Sequence, residues 1–480
     1  MATPASPPTP GARPGPISRV SRGRLPDSLD QLAGSEMGKA VGLAGAMIAN
    51  NVIALGATIV FARLLSDSHG GGYGSLAALV SYFLILSVFG QALQVATARE
   101  GVLGHLGVGA ELVATTRRWS RSLLAFTVLL GVVSVLARVP IADAVGVRHD
   151  QWAAALGLPA AGLWLWLSTL AGTLQGIGEY RDVSISLIGQ QAVRLPVGAL
   201  LAAAGLGVFG AFAGSSVAFL AMGTWCLWRI RRHGEAAESA LAVPRSQADP
   251  AAPRLIVHLR RAWAPIIGLI VIAVLQNIDI IAAKHRFSTS MATSYGAVAV
   301  AAKVLIWVAM GAGFYLVPEV SRRRANGGDP RPILARALCI VAVCAVPVLL
   351  LYAFAAHLLI RVGFGADHTG ASGSLLVLGL AFTALAATYL AVQYLLALHR
   401  TWFLAPLALV AVAEPILLLH ASRRPTGFAT VVLGIQIAGA VIAYGFALRA
   451  HRGHPATPPG PVVQGGIAPD AVDVIPEAVA

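Results

Sequence analysis

Twelve apolar stretches, each near the ~20 residues a bilayer crossing demands, constrain this chain more than any other feature. They run roughly 39–65, 74–98, 119–138, 151–175, 183–205 and 207–229, then 262–286, 293–319, 333–357, 372–398, 402–422 and 427–448. Only 12% of the 480 residues are charged and 57% are hydrophobic. Soluble domains carry roughly 25% charged residues, so a water-soluble fold is excluded, and so is disorder for most of the chain. The apolar mass is mainly Ala, Leu and Val, with 51 Gly and 7% aromatics. That suits closely packed helices better than barrel strands, which alternate polar and apolar residues. The expected fold class is all-α and polytopic, with twelve transmembrane helices.

Composition divides the chain further. Residues 1–37 are rich in Pro, Ser, Gly and Arg and read as a disordered cytoplasmic tail, as do 451–480. Between them lie a first bundle, 38–230, a polar, Pro-containing linker, 231–260, and a second bundle, 261–450. No apolar core precedes Gly38, so no cleavable signal peptide is expected. With both termini inside, 25 of the 35 Lys and Arg fall on the cytoplasmic side and 8 outside. This follows the positive-inside rule, although Arg423 and Arg424 fall on the wrong side. The formal charge of +14 therefore reports topology and anionic lipid, not nucleic acid. Each half has an even number of spans, so a repeat would be parallel. Tyr73-Gly74 opens the second span and Tyr295-Gly296 the eighth, each followed by about 25 residues to a basic end. Cys226, Cys339 and Cys344 lie in apolar runs, with neither disulfide nor zinc spacing.

Three stretches resemble a known family. FARLLSDSHGGGYGSLAALVSYFLILSVFGQALQVATARE (Phe61–Glu100) resembles the opening of bacterial polysaccharide and oligosaccharide-lipid flippases. QGIGEYRDVSISLIGQQAVRLPVG (Gln175–Gly198) is similar to that family's connection between spans four and five. NIDIIAAKHRFSTSMATSYGAVAVAAKVLIWVAMGAGFYLVPEVSRR (Asn277–Arg323) is similar to its signature of an Asp in span seven followed by Tyr, Lys and Pro; here Asp279, Tyr295, Lys303 and Pro318. The resemblance, to the multidrug/oligosaccharidyl-lipid/polysaccharide flippase superfamily, implies two parallel-repeat six-helix bundles around a central cavity that opens alternately to each side, without covalent chemistry. It implies a polyprenyl-diphosphate-linked glycan as cargo, moved between leaflets of a bacterial inner membrane. A polysaccharide polymerase or glycosyltransferases are candidate partners.

Charges at bilayer depth cost about 2.5–3.5 kcal/mol and persist where they face a wet cavity or a partner. Arg194 in span five and Lys303 in span eight are such charges. They can line a cavity for diphosphate. Alternatively, Lys303 pairs with Asp279, and Arg194 with Glu414 or helix-end carbonyls. Gln276, Asp279, Ala283 and Arg286 share one face of span seven. Asp279 is either an ion-coupling site or a structural partner of Lys284 or Lys303. Glu414, before Pro415 in span eleven, is a second coupling candidate. Arg63, Lys284 and Arg286 either line an exit vestibule or mark the membrane surface. Asn50 and Asn51 bond sugars or glue helices. Gln91, Gln94, Gln393, Tyr389 and Tyr394 are candidate sugar contacts. Tyr315 and Pro318 mark either a gating bend or a helix end.

Two other function classes compete. An H⁺- or Na⁺-coupled multidrug or metabolite exporter of the same superfamily would want buried carboxylates; here Asp279 and Glu414 stand in spans against Arg194 and Lys303, and that balance favours an anionic cargo. A polyprenyl-dependent membrane enzyme would need acid/base groups in a sizeable external loop, and these loops scarcely exceed a dozen residues. No catalytic residues, metal ligands or cofactors are therefore expected, and no Gly-rich motif with a following Lys can grip ATP.

Overall fold

The computed structural model describes residues 36–65, 72–102, 104–240, 263–325, 328–398 and 400–450. Residues 1–35 of the N-terminal tail, the whole C-terminal tail and residues 241–260 of the expected linker lie outside this set, whereas residues 36–37 and 231–240 are helical. Among the described residues all regular structure is helical. Ten stretches are long and apolar enough to cross a membrane. One of these, Tyr180–Ala236, contains two helices, and Leu404–His420 is a shorter apolar helix. The chain thus crosses the membrane as twelve spans. Large apolar side chains such as Val128, Leu136, Phe354, Leu409 and Val441 are exposed, as lipid-facing residues should be.

The first half comprises span one (Glu36–Leu64), span two (Gly72–Val102), span three (Ala110–Leu136), span four (Gln151–Ala155 and Gly157–Gly176), span five (Tyr180–Leu201) and span six (Gly207–Ala240). The second comprises span seven (Trp263–Arg286), span eight (Thr289–Ala302 and Val304–Ala325), span nine (Arg331–Phe364), span ten (Leu375–Ala397), span eleven (Leu404–His420) and span twelve (Pro425–Arg449). Turn chemistry fixes several ends. Pro332 and Pro425 occupy first-turn positions, where a missing N–H costs nothing. A short helix, Arg138–Val145, precedes span four and stops at Gly146, whose φ of 79° favours glycine.

The packing repeats with a shift of six. In the first half, span two packs on four, five on six, one on five, three on four and four on six. In the second, eight packs on ten, eleven on twelve, seven on eleven, nine on ten and ten on twelve. These are two six-helix bundles of the same connectivity and the same direction, which is a parallel repeat. Small residues permit the close approaches. A Cβ on Gly214 of span six would lie 2.7 Å from the Gly198 Cα of span five.

The halves meet at one end only of a shared core. Span two packs against spans seven and eight, and span one against span nine. First-half members of the larger apolar core, such as Phe61, Tyr73, Leu76 and Leu79, lie on the side opposite the start of span one. This is called the far side below. Toward the other side the first half closes on its own core, built on Leu93, Leu123, Trp166, Leu170 and Phe219. Cation–aromatic pairs mark both rims: Arg138 lies 5.0 Å from the Trp152 ring centroid at the far side, and Arg232 lies 4.2 Å from that of Trp228 at the other.

Candidate functional site

The second half holds a buried charge cluster. Span eight breaks at Lys303, between Thr289–Ala302 and Val304–Ala325, and the lysine points inward with 6% exposure. Its Nζ lies 3.4 Å from Asp279 Oδ1 and 3.4 Å from Asn277 Oδ1, and donates to both. The Tyr295 hydroxyl donates to the other carboxylate oxygen at 3.2 Å. The ring of Phe382 lies 5.5 Å from Nζ. Asp279 is fully enclosed. A single carboxylate therefore receives an ammonium and a phenol, leaving little Coulomb energy uncompensated. Three of the four signature residues, Asp279, Tyr295 and Lys303, converge here. The side chain of Pro318, like that of Tyr315, lies outside the described set.

Next to this cluster, Glu414 is also fully buried and within electrostatic reach of Asp279 and Lys303. Its Oε1 accepts from Gln436 Nε2 at 3.2 Å, while Oε2 is buried without a partner. Gln436 Nε2 also donates to the Leu275 carbonyl at 2.8 Å, tying spans seven, eleven and twelve together. Glu414 and Arg194 lie in different halves and do not pair. Gln436 carries no motif; its only sequence signal is a polar residue in the middle of an apolar span.

The first half is polar in a different way. Gln190 Nε2 donates to Asn50 Oδ1 at 3.5 Å, and Asn50 lies 3.4 Å from Asn51 Oδ1. Gln94 reaches Gln175 at 3.4 Å. These are long bonds among neutral carboxamides, so each amide keeps capacity for another partner. Gln94, Ser168, Ser186 and Gln190 line a cavity of about 10 Å³, near the ~10–15 Å³ that admits one water. One helical turn beyond Gln190 stands Arg194. It is half-buried, its Nε has no hydrogen-bond partner, and no described residue forms an ion pair with it. Gln91 is exposed on span two.

The remaining candidates divide between seam and scaffold. At the far side Arg63 donates to the Gly363 carbonyl at 3.2 Å and to that of Val362, bridging span one to the end of span nine. Lys284 Nζ donates to Ser75 Oγ at 3.3 Å, joining span seven to span two, and His285 Nε2 donates to the Ala144 carbonyl at 2.9 Å. Arg63 and Lys284 thus stitch the halves together. A cavity of about 180 Å³ opens beside Lys284, between it and Asp150. Arg286 stays within the second half, donating to the Ala421 carbonyl at 2.8 Å. Gln393 donates to the Tyr389 hydroxyl at 2.8 Å, and Tyr394 is buried.

Known structures share the fold of this two-bundle chain. The chain is similar to an inward-facing multidrug resistance MATE family transporter of the MOP superfamily, at a TM-score of 0.65, with 11% identity over 86% of this chain and 97% of that one. It is similar to the lipid II flippase MurJ in an inward closed conformation, at 0.64, with 14% identity over 86% and 88%. Against an outward-facing MATE transporter of the MOP superfamily the score is 0.55, with 13% identity over 90% and 98%. The chain has the MOP-superfamily transporter fold. No family profile matches its sequence, and no curated protein does. These neighbours are transporters and flippases, not enzymes.

Proposed function

We propose that this multi-pass membrane protein flips a polyprenyl-diphosphate-linked oligosaccharide or polysaccharide precursor from the inner to the outer leaflet of a bacterial cytoplasmic membrane. One observation carries the reading: Arg194, a guanidinium without an ionic partner, stands one helical turn from Gln190, whose carboxamide reaches Asn50 and through it Asn51. A planar fork of donors suits a diphosphate, and carboxamides suit sugar hydroxyls. The listless bonds among those amides leave them free to exchange partners when a glycan arrives.

In this reading both termini are cytoplasmic, the far side is the exterior, and 38–230 and 261–450 rock about the seam, with 231–260 as the tether. The headgroup enters between the halves and meets Arg194, Asn51 and Gln91, while the prenyl tail stays in lipid. Lys303 joins the headgroup only when Asp279 gives it up, which makes Asp279 and Glu414 the ion-coupling pair. Separation of the seam frees Arg63 and Lys284 to line the exit. A polymerase or glycosyltransferase would act on the cargo before or after it crosses.

The competing reading, an H⁺- or Na⁺-coupled exporter, draws on Glu414, whose Oε2 is unpartnered. The two separate by binding. Native mass spectrometry of the purified chain with polyprenyl diphosphate should show a bound complex that Arg194→Ala weakens roughly tenfold or more, the value of a charged hydrogen bond. Equal binding by the variant would remove Arg194 from the site. Retention of an organic cation in place of the lipid would favour the exporter.

A further inference from the structure

Three polar atoms are buried without hydrogen-bond partners where the halves meet: the Tyr73 hydroxyl and both ring nitrogens of His368. Tyr73 opens span two in the first half. His368 belongs to the second half, in the 3₁₀ turn Ala366–Ser374 between spans nine and ten. Their exposures are 2% and 1%. The rings meet edge to face, with centroids 5.5 Å apart and planes at 79°. Tyr73 also packs on Phe364 at 6.2 Å. His368 thus serves as an aromatic wedge in the seam that Arg63, Lys284 and His285 stitch around it.

A neutral imidazole fits that place as a ring. An imidazolium does not, because it would bury a charge with no carboxylate bonded to it, and the Phe364 backbone carbonyl could serve only one of its two N–H donors. Separation of the halves would expose the ring to water and remove the conflict. We infer that His368 is a proton-binding site that unlocks the far-side seam, with the protonated ring tolerated only when the halves have parted. A ligand that binds one of two conformations shifts the population toward it, and here the ligand is a proton.

The charges around the turn do not offer another outcome. On its own element Asp367 is exposed and acts on the ring electrostatically without bonding to it. Span nine contributes Arg361 and span twelve Arg424, both exposed; span eight contributes Tyr295, already bonded to Asp279. From the first half come Tyr73 and, through the end of span nine, Arg63. None of these side chains accepts a hydrogen bond from the ring in the closed seam, and the Phe364 backbone carbonyl is within reach of only one ring N–H. His285 is exposed and donates its Nε2–H to the Ala144 carbonyl, away from the His368 ring.

If the far side is the exterior, as proposed above, the proton arrives from outside, and only that clause rests on the functional reading. The response of the seam to pH needs no cargo. If His368 takes its proton only in the open state, with an ordinary pKa near 6.5, the open-to-closed ratio rises about 30-fold between pH 8 and pH 5. Spin labels at Val139→Cys and Ser290→Cys, exposed positions on opposite sides of the seam, report it in the full chain in lipid nanodiscs. Cys339 and Cys344 are replaced by Ala, and buried Cys226 is kept. The longer inter-label distance should gain population on acidification, and His368→Phe should abolish the gain. His368→Gln, which keeps a polar group of similar size, should abolish it too and serves if the Phe variant fails to fold. His285→Gln should leave it intact. An unchanged distance in the parent, or a gain that survives both His368 variants, would overturn the proposal.

Discussion

The ion pair of the second half makes a sharp quantitative prediction. Lys303 and Asp279 lie 3.4 Å apart at 6% and 0% exposure. At an effective dielectric of ~20 their attraction is on the order of 5 kcal/mol. Lys303→Met leaves the Asp279 carboxylate with Tyr295 alone, and Asp279→Asn leaves the ammonium with amides alone. Each single change should destabilise by about 3–5 kcal/mol, the usual cost of an orphaned buried charge. The double change removes both charges, and the Asn keeps an acceptor for Tyr295. Its loss should be smaller than either single loss, so the coupling energy should exceed either of them, at more than about 3 kcal/mol. Thermal unfolding followed by circular dichroism in one fixed detergent measures all four proteins. Additive losses would refute the pairing and would mean that Lys303 stands as an independent cation.

Other consequences follow from single contacts. Glu414→Gln keeps a partner for Gln436 and should change stability by less than about 1 kcal/mol; if Glu414 couples an ion, the same variant should lose the pH or Na⁺ dependence of transport, read in proteoliposomes under imposed gradients. Gly74→Val should part the seam, because even a Cβ there would sit 2.6 Å from Thr293 Oγ1; the spin-label pair across the seam should lengthen at neutral pH. Arg63→Ala removes two carbonyl contacts at the end of span nine and should shift that distance the same way, less strongly.

Much of the fold was legible because lipid imposes a simple rule: backbone polar groups must be satisfied within each crossing, so apolar length reads out span by span. Twelve expected spans correspond to twelve observed ones. The breaks inside spans were not legible. Lys303 interrupts span eight without Pro or Gly at the break, since packing rather than local preference decides there, whereas the break at Leu156 is followed by Gly157 and by Pro159, which has no N–H for the Ala155 carbonyl. At the site, the Asp279, Tyr295 and Lys303 pattern pointed to residues that do converge, but spacing along the chain could not choose between a cargo cation and a paired one. The partners of Glu414 and Arg194 depend on which helices face each other, and helices apolar all round carry no stripe to reveal it. Gln436 was missed for that reason. So was His368, whose importance lies in a contact with Tyr73 from the other half of the chain.

The most direct test of the account is a flipping assay. Purified protein in vesicles would be given a fluorescent polyprenyl-diphosphate-linked oligosaccharide, and its appearance in the opposite leaflet followed, in parallel with efflux of an organic cation. Flipping by the parent protein, strongly reduced in Arg194→Ala at equal reconstitution, with no cation efflux, is the predicted result. Flipping that Arg194→Ala leaves undiminished, or cation efflux without lipid flipping, would contradict it.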